Sequence, residues 1–366
     1  MTPDRPTRWF RRLARFRLRT LLAVMLVVSL ACGYLGKHVW RKRIERPIVE
    51  RVIAAGGEAC YEHQLSGSHP LPLGFWKEPP GPKLLRHLLG DDFFASVRYV
   101  ELKSPWASDK DVAAIVPLPA LEQVCLYGDT FTDECVADLL AIPQLRSLTL
   151  AGTSQSPSAL AQLAELPQLV QLELFNRRLS VEHVEKLAQF GQLEGLTLHG
   201  PGSAPAESYT VLAALKKLRV LELSDIEVAE NVTQQIGDLH SLTDLTLANA
   251  RITDRGVKHL GTLNKLRALD LTKSPLTDVA VESILQLVDL EVLCIAQTQV
   301  TDEGLKKIAQ LEKLRCLDIS LGNGITLDGA RKFQRLCPDC EMQCTEWYPD
   351  GTGAEIDLET GLQKTF

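Results

Sequence analysis

The chain contains no G-x-S-x-G turn, no phosphate-binding glycine loop, no H-E-x-x-H pair and no dinucleotide fingerprint. Its eight histidines are scattered, so no nucleophile, base and orienting group can be assembled, and catalysis is the least supported class of work. A zinc set is also incomplete. Cys337, Cys340 and Cys344 have metal-like spacing, yet no fourth Cys or His lies near them, and a structural zinc site wants four ligands. No metal and no cofactor are therefore expected. The three cysteines read as part of a terminal cap, with one disulfide among them open if the chain is exported. Cys125 and Cys294 read as free thiols.

Acidic residues are scarce in the first 46 positions, which hold twelve Lys/Arg against Asp4 and Glu45. The remainder holds 28 Lys/Arg against 44 Asp/Glu, a net of −16, and so offers no cationic face to a phosphate backbone. Nucleic acid is excluded as a partner on that ground. Long apolar runs are lacking as well, apart from residues 20 to 36, 17 positions without a charge. At ~1.5 Å per residue a helix there spans about 26 Å, near the lower limit for a bilayer, and Arg19 and Lys37 can snorkel to extend it. The run reads as a membrane anchor; the alternative is a signal peptide cleaved at Ala31-Cys32-Gly33. Seven arginines precede it and five Lys/Arg follow it up to Arg46, which puts the N-terminus in the cytoplasm and the rest outside.

What the sequence has in abundance is one recurring phrase. Residues 290 to 313, LEVLCIAQTQVTDEGLKKIAQLEK, follow the frame L-x-x-L-x-L, then a Thr-Asp pair, then apolar residues at every third position. Its first position recurs at Val97, Leu121, Leu145, Leu169, Leu193, Leu218, Leu242, Leu266, Leu290 and Leu314, spaced by 24 residues except for one step of 25. A fixed period of this length with this frame predicts an α/β leucine-rich-repeat solenoid, a horseshoe with a concave parallel sheet and convex helices. Within the phrase Leu293 and Ile295 point to the core, while Val292, Cys294 and Ala296 point to the display face. Thr301 is placed to cap the helix and Asp302 to favour its dipole. The Asn common at the ninth position is mostly missing, so backbone and water are expected to close that turn.

The chain then divides into a basic segment (1–19), a transmembrane anchor (20–40), a juxtamembrane helix and N-terminal cap (41–96), the repeats (97–339), and a C-terminal cap and tail (340–366). A short helix over residues 41 to 55 is expected to stop at Gly56-Gly57, and another over residues 83 to 89 at Gly90. Phe75, Trp76, Phe93 and Phe94 are the expected plugs of the cap. The tail after Tyr348 is expected to pack little. The 25-residue unit contains an irregular stretch, residues 199 to 205, whose helix recovers at Tyr209, Leu212 and Leu215.

The arginine-rich start, the phrases Arg17-Leu18-Arg19-Thr20-Leu21-Leu22 and Leu88-Leu89-Gly90-Asp91-Asp92-Phe93-Phe94, and the V-T-D-x-G-L repeats resemble the membrane-anchored leucine-rich-repeat proteins of planctomycete bacteria. The resemblance covers nearly the whole chain. It implies a fold and an address, and no catalytic residue.

The display positions suggest a site. The fifth position carries acids at Glu101, Glu173, Glu222, Asp270 and Asp318, and all but Glu173 have an Arg three residues earlier that is expected to neutralise them. Glu173 is thus expected to be unpaired. Tyr127, Phe175 and His199 are the ring-bearing residues of the seventh column, and with Gln171 and Glu173 they form the candidate ligand-binding set. The expected work is that of a membrane-tethered recognition module binding a protein or an envelope polymer. The alternative is a structural spacer or self-associating scaffold.

Overall fold

The computed structural model describes residues 18–66, 69–70, 77–175, 179–200, 204–322, 324–347, 353–356 and 358. Phe75, Trp76, Arg177, Pro201 and Tyr348 lie outside them. One helix, α1 (Leu18–Ala54), runs unbroken through both the expected anchor and the expected juxtamembrane helix. The change from apolar to basic composition at Lys37 alters what surrounds the helix and leaves its backbone pattern intact; even Pro47 is accommodated within it. It stops at Gly56, which takes a φ of +65°. Gly57 follows because a Cβ there would stand 2.3 Å from the Glu101 carbonyl oxygen.

The chain then forms β1 (Glu58–Tyr61), a small hairpin of β2 (Leu65–Ser66) with β3 (His69–Pro70), and the helix α2 (Lys83–Leu89). The solenoid strands follow: β4 (Val97–Lys103), β5 (Gln123–Tyr127), β6 (Ser147–Ala151), β7 (Gln171–Phe175), β8 (Gly195–His199), β9 (Val220–Ser224), β10 (Asp244–Thr246), β11 (Ala268–Asp270), β12 (Val292–Cys294) and β13 (Cys316–Leu321). They lie side by side in chain order and in register, so that Leu221, Leu245, Leu269 and Leu293 form one row. Burial follows the frame: Leu290, Leu293 and Ile295 are enclosed, and Val292 and Cys294 are half-buried on the other side. Alternation at period 2 places one side of each strand in a core that extends from repeat to repeat.

Both ends of the sheet are covered. β1 pairs antiparallel with β4, which removes one edge, and Phe93 and Phe94 are buried in the cap. At the other end β14 (Glu341–Trp347) pairs with β13, and β15 (Gly353–Glu355) pairs antiparallel with β14. The tail is therefore better packed than its composition suggests, since Ile356 is buried and Arg331 Nε donates to the Leu358 carbonyl at 2.8 Å. Cys340 and Cys344 are buried in this cap, and no disulfide joins Cys337, Cys340 and Cys344.

Two ladders tie the repeats together. The first closes the turn after each strand. The residue after the seventh position takes a left-handed backbone at Gly128, Gly152, Gly200, Asp225, Asn249, Lys273 and Gln297. Its N–H donates to the next repeat, as from Gly128 to Ala151 O, Asp225 to Ala248 O and Asn249 to Thr272 O. Backbone thus supplies what the missing Asn would have given.

The second ladder gives the Thr-Asp pair a role beyond capping. Asp278 accepts from Thr301 N at 2.8 Å and from Thr301 Oγ1 at 2.6 Å, so each Asp grips the Thr of the following repeat. The same two-pronged rung joins Asp109 to Thr132, Asp133 to Ser156, Asp254 to Thr277 and Asp302 to Thr326. Thr301 meanwhile caps its own helix by accepting from Glu303 N. Gly304 makes room for the rung, since a Cβ there would lie 2.2 Å from Asp278 Oδ1. Pro157, Val181, Ala206 and Glu230 occupy the Asp position in the middle repeats. There His183 holds Ser180 through Nδ1 at 2.8 Å and meets Gln155 O through Nε2 at 3.1 Å. The 25-residue unit departs further, with a 3-10 helix (Ala206–Ala214) that still buries Tyr209 and Leu212.

Candidate concave recognition site

Parallel register brings the candidate residues together. On the seventh column Tyr127 pairs with Ala151, Ala151 with Phe175, and Phe175 with His199. The Phe175 and His199 rings are 5.6 Å apart and tilted by 46°. Tyr127 stands two strands from Phe175, about 10 Å at the usual strand spacing, with only the Ala151 methyl between them. The result is a notch floored by Ala151 and walled by two aromatic rings. Lys103 sits on the far side of Tyr127, its Nζ 5.8 Å from the ring centre. His199 Nε2 lies 3.5 Å from Asp225 Oδ2, and Asp225 in turn accepts from Asn249 Nδ2 at 2.7 Å. A depression of about 370 Å³ lined by Ala204, Tyr209, Asp225, Asn249 and Arg251 opens beside this corner.

Glu173 is on the fifth column between Thr149 and Thr197. The structure corrects the expectation that it is unpaired. Thr149 Oγ1 donates to Oε2 at 2.9 Å and Gln171 Nε2 donates to Oε1 at 2.7 Å. These are neutral donors, so the carboxylate is oriented while no ion pair with the described residues matches its charge. Gln171 is thereby a positioning residue. All five candidates are half-buried, on the strand side opposite the enclosed leucines. Burial, followed by the charges of Cys125, Glu101 and Glu173, pushes the Tyr127 phenol up to about 12, so it is a neutral hydrogen-bonding group at neutral pH.

The expected neutralisation of the other acids by the arginines before them is also overturned. Arg98 pairs with Glu122 at 2.7 Å and Glu62 at 3.4 Å, and Arg267 pairs with Glu291. Residues three apart on an extended strand point to opposite sides, so a second-position Arg meets the second position of the next repeat. The fifth-column acids find local partners. Glu101 is held by Lys103 and by Tyr99 Oη, Glu222 by Ser224 Oγ at 3.0 Å, and Asp270 by Thr272 N at 2.8 Å. Asp318 Oδ1 is enclosed without a partner among the described residues, and burial, then the charge of Asp270, pushes that carboxyl up to about 6.

Lys103, Thr149 and Asp225 belong to the neighbourhood and were missed. Lys103 is in the column already singled out; Asp225 sits one position beyond it, where the left-handed turn aims the side chain back along the rim. Among the described residues no group of three His, Cys, Asp or Glu is placed to hold a metal ion.

The repeat frame and the 13-stranded sheet backed by helices define a leucine-rich-repeat solenoid. The chain matches no protein-family model, and no curated protein matches it. Among solved structures it is similar to an internalin from Listeria monocytogenes, with 17% identity, covering 72% of this chain and 93% of that one, at a TM-score of 0.45.

Proposed function

We propose that the chain is a membrane-tethered recognition module that binds a protein or an envelope polymer on its concave sheet, with Tyr127, Gln171, Glu173, Phe175 and His199 as the contact set. The observation that carries this reading is the aromatic notch beside a carboxylate held by neutral donors. Rings give contact area at little entropic cost, and a carboxylate oriented by neutral donors can offer its charge to a cationic or hydroxyl-bearing group of a ligand. The tether is supported by the exposed apolar stretch of α1, a candidate membrane span. The resemblance to anchored planctomycete proteins supports the same address, with the N-terminus inside and the repeats outside.

The test is capture of envelope components by the detergent-solubilised full chain. Saturable binding that is lost in Phe175→Ala/Glu173→Ala and retained in Asp270→Ala is the expected result. Equal loss in both variants, or self-assembly of the chain as the only association, refutes the proposal.

A further inference from the structure

The helix α2 buries its arginine and exposes its leucines. Arg86 is 8% exposed, with Nη1 donating to Pro79 O at 2.6 Å and Nη2 to Glu78 at 2.8 Å, whereas Leu84 and Leu88 are 75% and 72% exposed. Leu89 adds to the same surface. A short helix in water has the opposite pattern, and leucines at i and i+4 form one apolar edge.

The position of α2 supplies the occupant. The cap grips α1 from Tyr34 onward: Phe94 stacks on Tyr34 at 6.1 Å and meets His38 at 5.1 Å, and Arg41 donates to Ser96 Oγ at 2.9 Å and Phe93 O at 3.1 Å. Wholly buried Glu45 accepts from Lys42 at 2.8 Å and from Val97 N at 3.3 Å, which locks the helix to the first solenoid strand. Before this point none of the described residues covers α1, and Leu22, Leu26 and Leu30 are exposed. Tyr34 lies within the uncharged run and His38 one residue beyond Lys37, its first charge, so Phe94, which packs on both rings, is held at the level where that run ends. Both ends of α2 are tied to this level. Gly81, two residues before it, lies on the Phe94 ring, where a Cβ would come within 2.4 Å. Gly90, which ends it, accepts from Phe93 N at 3.2 Å.

We infer that α2 is a second membrane contact, with Leu84, Leu88 and Leu89 seated among the lipid acyl chains of the leaflet from which α1 emerges. This rests on the reading of α1 as a membrane anchor. Because α1 is continuous and clamped to the cap, the two contacts together fix the tilt of the solenoid on the bilayer, which a single flexible tether does not. Exposed Trp40 on α1 lies three residues, about 4.5 Å, beyond Lys37, where an indole favours the interface.

The test uses the full chain in vesicles of phosphatidylethanolamine and phosphatidylglycerol, with the photoreactive residue p-benzoylphenylalanine replacing Leu84 or Leu88. Reference sites are Val27 in the anchor and Val279, which is 66% exposed on a solenoid helix. Lipid adducts at positions 84 and 88 at least ~10-fold above those at 279 are expected, as for an interfacial helix. If position 27 gives lipid adducts while 84 and 88 match 279, or crosslink chain to chain, the inference fails and the anchor stands. If position 27 gives none, both fail.

Discussion

Replacing Asp278 by Ala removes one complete rung between adjacent repeats. The carboxylate accepts two hydrogen bonds from Thr301, at 2.8 and 2.6 Å, and bonds to a charged acceptor contribute roughly 1.5 to 3 kcal/mol each. Both residues are half-buried, so water recovers part of that, and about 2 to 3 kcal/mol remains. Helix propensity and the loss of a favourable first-turn charge nearly cancel. Thr301→Val keeps the amide arm and loses the hydroxyl arm and the cap on Glu303, which costs about 1 to 2 kcal/mol. In a double-mutant cycle the two changes share the hydroxyl bond, so the pair should cost about 1 kcal/mol less than their sum. Urea unfolding of the micelle-bound full chain, followed by far-UV circular dichroism, measures all three. A loss below ~0.5 kcal/mol for Asp278→Ala, or strict additivity, would refute the rung as an energetic link.

Leu245→Asp places a charge in a fully enclosed position between Leu221 and Leu269 and should cost more than ~4 kcal/mol, unfolding neighbouring repeats; an unchanged melting curve would exclude the register. Asp318→Asn should stabilise the chain at pH 8. The folded carboxyl is raised to about 6 by burial, above its unfolded value, so ionisation opposes folding above pH 6 and the penalty fades as pH falls from 6 toward 4. Two pKa units correspond to about 3 kcal/mol at most, and partial exposure reduces this to about 1 to 2. Thermal melts at pH 8 and pH 4 check it, and an equal gain at both would contradict the sign.

The leucine frame was fully legible because a period of 24 residues repeats the same physical constraint many times, and every first position from Val97 to Leu290 is buried as the frame requires. The Gly56 and Gly90 stops were equally plain. The rungs were not, because Asp278 and Thr301 look like independent capping residues until stacking sets one above the other. The error over Arg98 and Arg267 came from counting sequence distance without the two-sidedness of a strand. β15 was hidden because its pairing with Thr345, Glu346 and Trp347 is made by backbone, which a glycine-rich composition does not advertise. For the candidate site the rings were legible by column, whereas the partners of Glu173 were not. Thr149 comes from another repeat and Gln171 from the same strand two residues away, and only the fold shows that both donate to one carboxylate.

The repeats that carry Phe175 and His199 are also those without an Asp rung, unlike the repeat of Tyr127, whose Asp133 reaches Ser156. Phe175 and His199 stand in the stretch where Pro157, Val181, Ala206 and Glu230 replace Asp, so the helices behind the notch are held by packing and by the His183 bridge instead. Lacking about 2 kcal/mol per interface, helix Val181–Leu187 should open locally more often than helix Asp302–Ile308, by roughly 30-fold at that free energy. Native-state amide exchange should show this contrast, and uniform protection along the solenoid would remove the argument. Pro157→Asp provides the converse. An Asp there stands 23 residues before Ser180, the spacing by which Asp133 reaches Ser156 N and Oγ. The new rung should slow exchange in the 181–187 helix and raise stability by about 1 to 2 kcal/mol, after the loss of the Pro at the helix start and of the Ser180–His183 bonds. If local flexibility behind the notch assists ligand entry, the same variant should bind its envelope ligand with a slower association rate; unchanged association together with slowed exchange would show that the rung deficit matters to stability alone.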